Sequence, residues 1–255
     1  MNKLLFLVSF LLISILLSGC RSKVSDTSIA PVIKFPFSSL KKISKIISPG
    51  DTTVFEYNSD GKLSRILYGG YNFTDGNIFK PYLDITSYTY SGDTVFVVYR
   101  NGNILPDRYY MVLDSQGLIS TLSRSNELKE IFLNDNNGNC IKQIFNWGEI
   151  KFKYSGSNMI SAESQGLKYE FTYYADKVNT VRPNRYGAVY GGVIGSWFYH
   201  FGNENINLIK TDTEFKGGTK STISYTYEFD ANNYVTKRTI KFEGGSSYDQ
   251  YYTYR

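Results

Sequence analysis

The residues that could do chemistry are few, and they stand apart from one another. His200 is the only histidine, which removes every triad that needs a second imidazole and most metal sites. It sits in the aromatic run Trp197 to Phe201, where a packed histidine with one hydrogen bond is expected before a general base. Cys140 follows an Asn-Gly turn and opens an apolar-rich segment, the setting of a buried small hydrophobe and not of an activated thiolate. No serine lies in a G-x-S-x-G elbow. Glycoside hydrolysis needs two carboxyl groups facing each other across roughly 5 to 9.5 Å. Glu228, Asp230 and Asp135 fall in turns or on polar strand faces, and nothing singles out a pair. The chain is therefore expected to work without catalytic residues, metal or cofactor.

The tyrosines offer a different chemistry. Aromatics make up 16% of the chain, with 23 Tyr and 17 Phe. In Ile223 to Phe242, Ile223, Tyr225, Tyr227 and Phe229 share one parity, while Ser224, Thr226, Glu228 and Asp230 take the other. Strict alternation predicts a strand with one bulky and one polar face. Asp230-Ala231-Asn232-Asn233 then reads as a turn, and Tyr234 to Phe242 returns as the second strand of a hairpin. With a four-residue loop, Phe229 would face Tyr234, Tyr227 would face Thr236, Tyr225 would face Arg238 and Ile223 would face Ile240. Tyr225, Tyr227, Phe229 and Tyr234 form a candidate sugar- or peptide-binding face, since Tyr joins a flat apolar body to a polar tip. The competing reading is that the stripe is core.

Such side chains must be carried by strands, and the rest of the chain supplies them. Gly reaches 22 and Pro only 6, which suits pleated surfaces joined by tight turns. Tyr57-Asn58-Ser59-Asp60-Gly61-Lys62 predicts a hairpin with a G1 bulge. Related turns are read at 113–117, 133–138, 154–158 and 229–233, each an apolar residue followed by Asn, Asp or Ser. Their irregular spacing argues for a β-meander and against a solenoid or propeller. Gly69-Gly70 to Pro81 reads as a longer loop, and residues 186–202 as one short helix or compact loop. Ser247 to Arg255 should close the sheet. The expected fold is all-β, an antiparallel β-meander of about fourteen to sixteen short strands curved like an open barrel.

The chain's beginning has another texture. Asn2 and Lys3 precede the apolar run Leu4 to Leu17, broken only by Ser9 and Ser14. The run is short for a spanning helix and ends in small residues, as secretory signals do. Leu17-Ser18-Gly19-Cys20 resembles a bacterial lipobox. That resemblance implies cleavage before Cys20, its thioether lipidation, and a bilayer partner reached through the acylated cysteine, a durable hold when several chains insert. The expected division is residues 1–19 as signal peptide, 20–38 as lipidated tether and 39–255 as a single all-β domain. Arg21-Ser22-Lys23 lacks the Asp that resembles an inner-membrane retention signal, which favours the outer membrane. The net charge of +5 is spread along the chain without a basic block, so no nucleic-acid partner is expected. With Cys20 lipidated, Cys140 has no partner for an intrachain disulfide.

The F-E-Y-N-S-D-G-K-L hairpin, the aromatic-glycine segment before 203, Asn207-Leu208-Ile209 and Y-T-Y-E-F-D-A-N-N-Y-V-T-K together resemble an uncharacterised family of gut-bacterial lipoproteins, described as a domain of unknown function with a porin-like fold. The likeness covers roughly Leu40 to Arg255. It implies the fold and an envelope location but no catalytic residue. The hairpins also loosely resemble the tyrosine-aspartate repeats of large bacterial shell-forming proteins, with Asn233 where the repeat prefers Gly and Asn58 where it prefers Asp. A barrel that itself spans the membrane is not expected. Spanning strands need ~9 to 11 residues, and lysine or arginine interrupts both faces in 40–48 and 237–241.

Overall fold

The computed structural model describes residues 41–71, 81–102, 105–124, 128–181 and 205–255. The expected signal peptide, Cys20, the tether, the 186–202 segment and His200 lie outside the described residues. Sixteen strands follow one another: β1 Ile43–Ser48, β2 Asp51–Tyr57, β3 Leu63–Tyr71, β4 Pro81–Ser91, β5 Thr94–Asn101, β6 Asp107–Leu113, β7 Ile119–Arg124 and β8 Leu128–Asn134. They continue as β9 Cys140–Phe145, β10 Gly148–Ser155, β11 Asn158–Ser164, β12 Leu167–Val178, β13 Asn207–Lys216, β14 Thr219–Phe229, β15 Val235–Phe242 and β16 Ser247–Tyr254.

Each strand pairs antiparallel with its sequence neighbours, and β1 pairs with β16 to close a barrel. The meander is as expected; the open edge is not. Closure comes from Ile46 opposite Tyr252 and Ile47 opposite Tyr251, with the Arg255 N–H donating to the Lys42 carbonyl at 2.9 Å beyond them. Closing the ring leaves no unpaired edge to recruit another chain.

Parity then sorts every side chain inward or outward. Tyr225, Ile240 and Tyr248 share a row across β14, β15 and β16, and Tyr88, Val97, Tyr109 and Arg124 share one across β4 to β7. These rows face inward, where Tyr88, Val97, Tyr225 and Ile240 are buried. The alternate rows face outward. On β9, β10 and β12 they carry the Lys142–Glu149–Lys151 and Lys168–Glu170 ion pairs. On β14 to β16 they carry Lys237 between Glu228 and Asp249.

The turns hold the register. Asn58, Asp114, Asp135 and Asp230 each accept a backbone N–H on the side-chain oxygen from four residues on, and each donates its own N–H to that residue's carbonyl. Position i+3 of these loops is left-handed: Gly61, Gly117, Gly138 and Asn233 have φ between 63° and 80°. Asn is the residue besides Gly that takes this conformation at least cost.

Three expectations need correction. The last hairpin has a five-residue turn with a register shift between Glu228 and Phe229. Phe229 therefore pairs with Val235, Tyr227 with Arg238, Tyr225 with Ile240 and Ile223 with Phe242. Tyr227, Tyr225 and Ile223 keep partners of the expected parity, while Phe229 meets Val235 in place of Tyr234. At 154–158 the turn is a different one: Ser155 pairs with Asn158 around a two-residue loop in which Gly156 has φ 60°. Gly69 and Gly70 are not loop but strand, paired with Thr52 and Asp51 on one side and with Leu83 and Tyr82 on the other. Five strands, β3, β4, β12, β13 and β14, run nine residues or more, so short strands alone do not exclude a spanning barrel.

Candidate ligand-binding wall

The inner wall changes character from one end of the barrel to the other. At the end that holds Lys41 and Arg255, inward side chains from around the ring are fully buried: Ile43, Leu63, Val95, Met111, Ile119, Cys140 and Val235. Leu208, Ile209 and Val181 join the same core. Each large aliphatic side chain there contributes about 1.5–3 kcal/mol by leaving water. This end is packed like a protein interior and not like a pore.

At the opposite end, where β1 turns into β2, the inner wall of β2 to β9 is polar. Thr53, Tyr68, Asp84 and Asn101 form one row, and Thr86, Tyr99 and Asp107 continue the next. The Tyr68 hydroxyl donates to Asp51 Oδ2 at 2.7 Å, the Tyr99 hydroxyl donates to Asp84 Oδ2 at 3.1 Å, and Asn101 Nδ2 donates to the Tyr99 hydroxyl oxygen at 3.3 Å. Arg124 Nη2 donates to Asp107 Oδ1 at 2.6 Å while its guanidinium lies 5.7 Å from the Tyr109 ring centroid. Gln143 Nε2 donates to Glu130 Oε2 at 2.7 Å. Asp84 Oδ1 is buried with no hydrogen-bond partner. Tyr68 is 38% exposed although it faces inward, so water reaches this wall. Partial burial, with the Asp51 carboxylate beside it, raises the Tyr68 phenol well above the usual range. Burial also raises Glu130, against the lowering effect of the Gln143 hydrogen bond. The hydroxyls of Tyr68 and Tyr99, with the carboxylates and the carboxamide of Asn101, can exchange hydrogen bonds with a hydroxyl-rich ligand.

A second inward polar group lies on β13. Asp212 pairs in register with Phe171 and Ile223, and Glu214 with Tyr169 and Ser221. Asp212 is 3% exposed, its Oδ1 lacks a partner, and burial, with Glu214 adding to it, pushes its carboxyl up to about 7. Two strands along, on β15, Arg238 lies 5.6 Å from the Tyr225 centroid and 6.0 Å from that of Tyr252, and its Nε donates to Gln250 Oε1 at 3.0 Å. Gln250 Nε2 donates in turn to the Ser48 hydroxyl at 3.0 Å.

The sequence-derived face is split by depth. Tyr225 is 3% exposed under Arg238. Tyr227 and Phe229 are half-buried, and the Tyr227 hydroxyl donates to the Ile209 carbonyl at 2.9 Å. Tyr234 stands at the turn, where its hydroxyl accepts the Lys41 N–H at 3.1 Å and its ring meets Tyr254 edge-on at 5.1 Å. The structure thus brings Tyr225 and Tyr227 onto the inner wall and leaves Tyr234 at the rim. Cys140 is fully buried. Among the described residues, no three His, Cys, Asp or Glu side chains gather to hold a metal ion.

Sequence reading missed Asp51, Tyr68, Asp84, Tyr99 and Asp212. In β13, Lys210, Asp212, Glu214 and Lys216 share one parity and Thr211, Thr213 and Phe215 the other, so neither face looks apolar. Only pairing with Phe171 and Ile223 shows which one is inside.

The fold is known elsewhere. A porin-like protein from Bacteroides uniformis, solved by crystallography, superposes with a TM-score of 0.64 at 14% identity, covering 85% of this chain and 99% of that one. A porin-like protein from Bacteroides vulgatus matches at 13% identity over 84% of this chain and 98% of its own, with a TM-score of 0.36. No family model and no curated protein matches the sequence. The first likeness establishes a porin-like barrel fold.

Proposed function

We propose that this chain is an envelope protein held at the outer membrane by an acylated Cys20, whose porin-like barrel binds a ligand without transforming it. The observation that carries the binding role is the water-accessible polar wall, Asp51–Tyr68 and Asp84–Tyr99–Asn101, set above a packed apolar floor. These groups hold one another in hydrogen bonds and present hydroxyl, carboxylate and carboxamide groups side by side, which supports a role in recognition. The apolar run ending in Leu17-Ser18-Gly19-Cys20 supports the anchor. Labelling with a fatty-acid analogue should mark the chain and be lost in Cys20→Ala, and proteolysis of whole cells would report which leaflet carries it. Turnover of any polysaccharide by the purified protein would overturn the binding-only role.

A second reading has a glycan bound, or acted upon, along the aromatic face of Tyr225, Tyr227, Phe229 and Tyr234. The half-buried rings of Tyr227 and Phe229 favour it, with Tyr225 shaping the wall behind them. On a glycan array, binding that disappears in Tyr227→Ala and survives in Tyr68→Phe would select this face. The reverse pattern would select the polar wall.

A further inference from the structure

The outer wall of β4 to β8 differs from the rest of the barrel. Every acid on these strands, Asp84, Asp107 and Glu130, shares an inward row with Asn101, Tyr99 or Leu122. The basic residues divide the other way. Arg124 faces inward to Asp107, while Arg100 pairs with Ile85, Arg108 with Val98 and Lys129 with Ser123 in outward rows. All three are exposed and none has an acidic partner among the described residues. Between them the wall carries apolar side chains interleaved with the uncharged Ser87, Thr89, Thr121 and Ser123. Phe96, 38% exposed, meets Tyr110 edge-on at 5.5 Å, and Val98, Val112 and Ile131 continue the surface. Further round the ring, on β10 and β12, Glu149 pairs with Lys151 and Lys168 with Glu170.

We propose that the outer wall of β4 to β8 lies against the surface of an anionic phospholipid bilayer. A patch of half-exposed apolar side chains with cations and no anion complements an interface where acyl chains lie beneath negative headgroups. The proposal rests on the Cys20 anchor for its reach. The stretch from Cys20 to Lys41 can reach at most about 70 Å, so an anchor at Cys20 would not keep this wall from a bilayer. A protein partner would need anions facing Arg100, Arg108 and Lys129, and a second copy would set these cations against themselves.

The test uses the full protein reconstituted in vesicles of phosphatidylethanolamine and phosphatidylglycerol doped with a brominated phosphatidylcholine. An environment-sensitive fluorophore is placed on Phe96→Cys or, on the opposite wall, on Thr172→Cys, with the buried native Cys140 left unlabelled. The label at 96 should shift to the blue and be quenched severalfold more than the label at 172. Quenching at 96 should fall severalfold in the Arg100→Glu/Arg108→Glu double variant, or when phosphatidylglycerol is replaced by phosphatidylcholine. Equal quenching at the two positions, none at either, or a blue shift that follows protein concentration and not lipid would overturn the proposal. The last result would mark a contact between protein chains. The mass of the same sample reports acylation separately. An unacylated chain whose label at 96 is still quenched would sink the anchor and leave the wall standing.

Discussion

Asp212 makes the stability of the barrel depend on pH in a direction opposite to that of most paired carboxylates. Its side chain is buried against the Phe171 and Ile223 rows with one oxygen unpartnered, and its carboxyl titrates at about 7 in the fold against 3.8 without the fold. Below about pH 4 the folded and unfolded chains both hold the proton, and Asp212 costs nothing on this account. As the pH rises, the unfolded carboxyl ionises first, so the unfolded chain binds fewer protons and stability falls until the folded carboxyl also ionises near 7. Each pH unit between the two values is worth about 1.4 kcal/mol, so the full loss is about 4 kcal/mol. The isosteric Asp212→Asn cannot titrate. Its stability relative to the natural chain should therefore improve by up to about 4 kcal/mol between about pH 4 and pH 8. Urea unfolding followed by circular dichroism at the two pH values measures this. Taking the difference between the two proteins cancels Glu130, which burial also raises. A difference independent of pH would refute the reasoning, because it would mean that Asp212 stays ionised in the fold.

Further outcomes follow from the turns and the core. Asp135 accepts the N–H groups of Asn137 and Asn139 at 2.9 and 2.8 Å and the Asn139 amide at 3.1 Å; Asp135→Ala should cost about 1–3 kcal/mol in chemical denaturation, as buried Asn139 loses its partner. Gly117 has φ 75°, and a Cβ at this position would meet nothing within 4 Å, so Gly117→Ala should cost about 1–2 kcal/mol from backbone strain alone. Asn233→Gly at φ 63° should be neutral or slightly stabilising in a thermal melt, and a loss beyond about 1 kcal/mol would require a side-chain role for Asn233. The Cys140 thiol is fully buried; a thiol reagent should modify it orders of magnitude faster in denaturant than in buffer, and rapid labelling of the native protein would contradict the packed floor.

Local pattern carried most of the fold and little of the site. A strand that alternates, as Ile223 to Phe229 does, announces its two faces. Turns such as Asn58 to Lys62 and Asp230 to Tyr234 announce themselves through a side-chain acceptor and a left-handed fourth position. Register is subtler, because the bulge at Phe229 exchanges its partner Tyr234 for Val235 and moves the partners of Tyr227, Tyr225 and Ile223 by two residues. Closure depends on Ile46 meeting Tyr252, two residues far apart in the chain whose types would suit many neighbours. The polar wall was hidden for a related reason. Tyr68, Asp84 and Asn101 become one surface only when three strands are set in register, and each alone is an ordinary strand or turn residue.

Parity also decides what such a barrel can face. A bilayer-spanning ring needs an apolar outward band all the way round, and a Lys or Arg at its midplane costs about 2–4 kcal/mol. Five strands here are long enough, yet on β10 to β12 the outward rows hold Glu149, Lys151, Lys153, Glu163, Lys168 and Glu170. That stretch of the wall must meet water. Since the acids of β4 to β8 turn inward and build the polar wall, the same alternation that gives the interior its hydrogen-bonding groups strips the exterior of anions there. Reversing one strand's parity, as a single-residue slip in β6 would, exchanges Asp107 for Arg108 and undoes both surfaces together. The polar inner wall and the cationic outer face are two sides of one register.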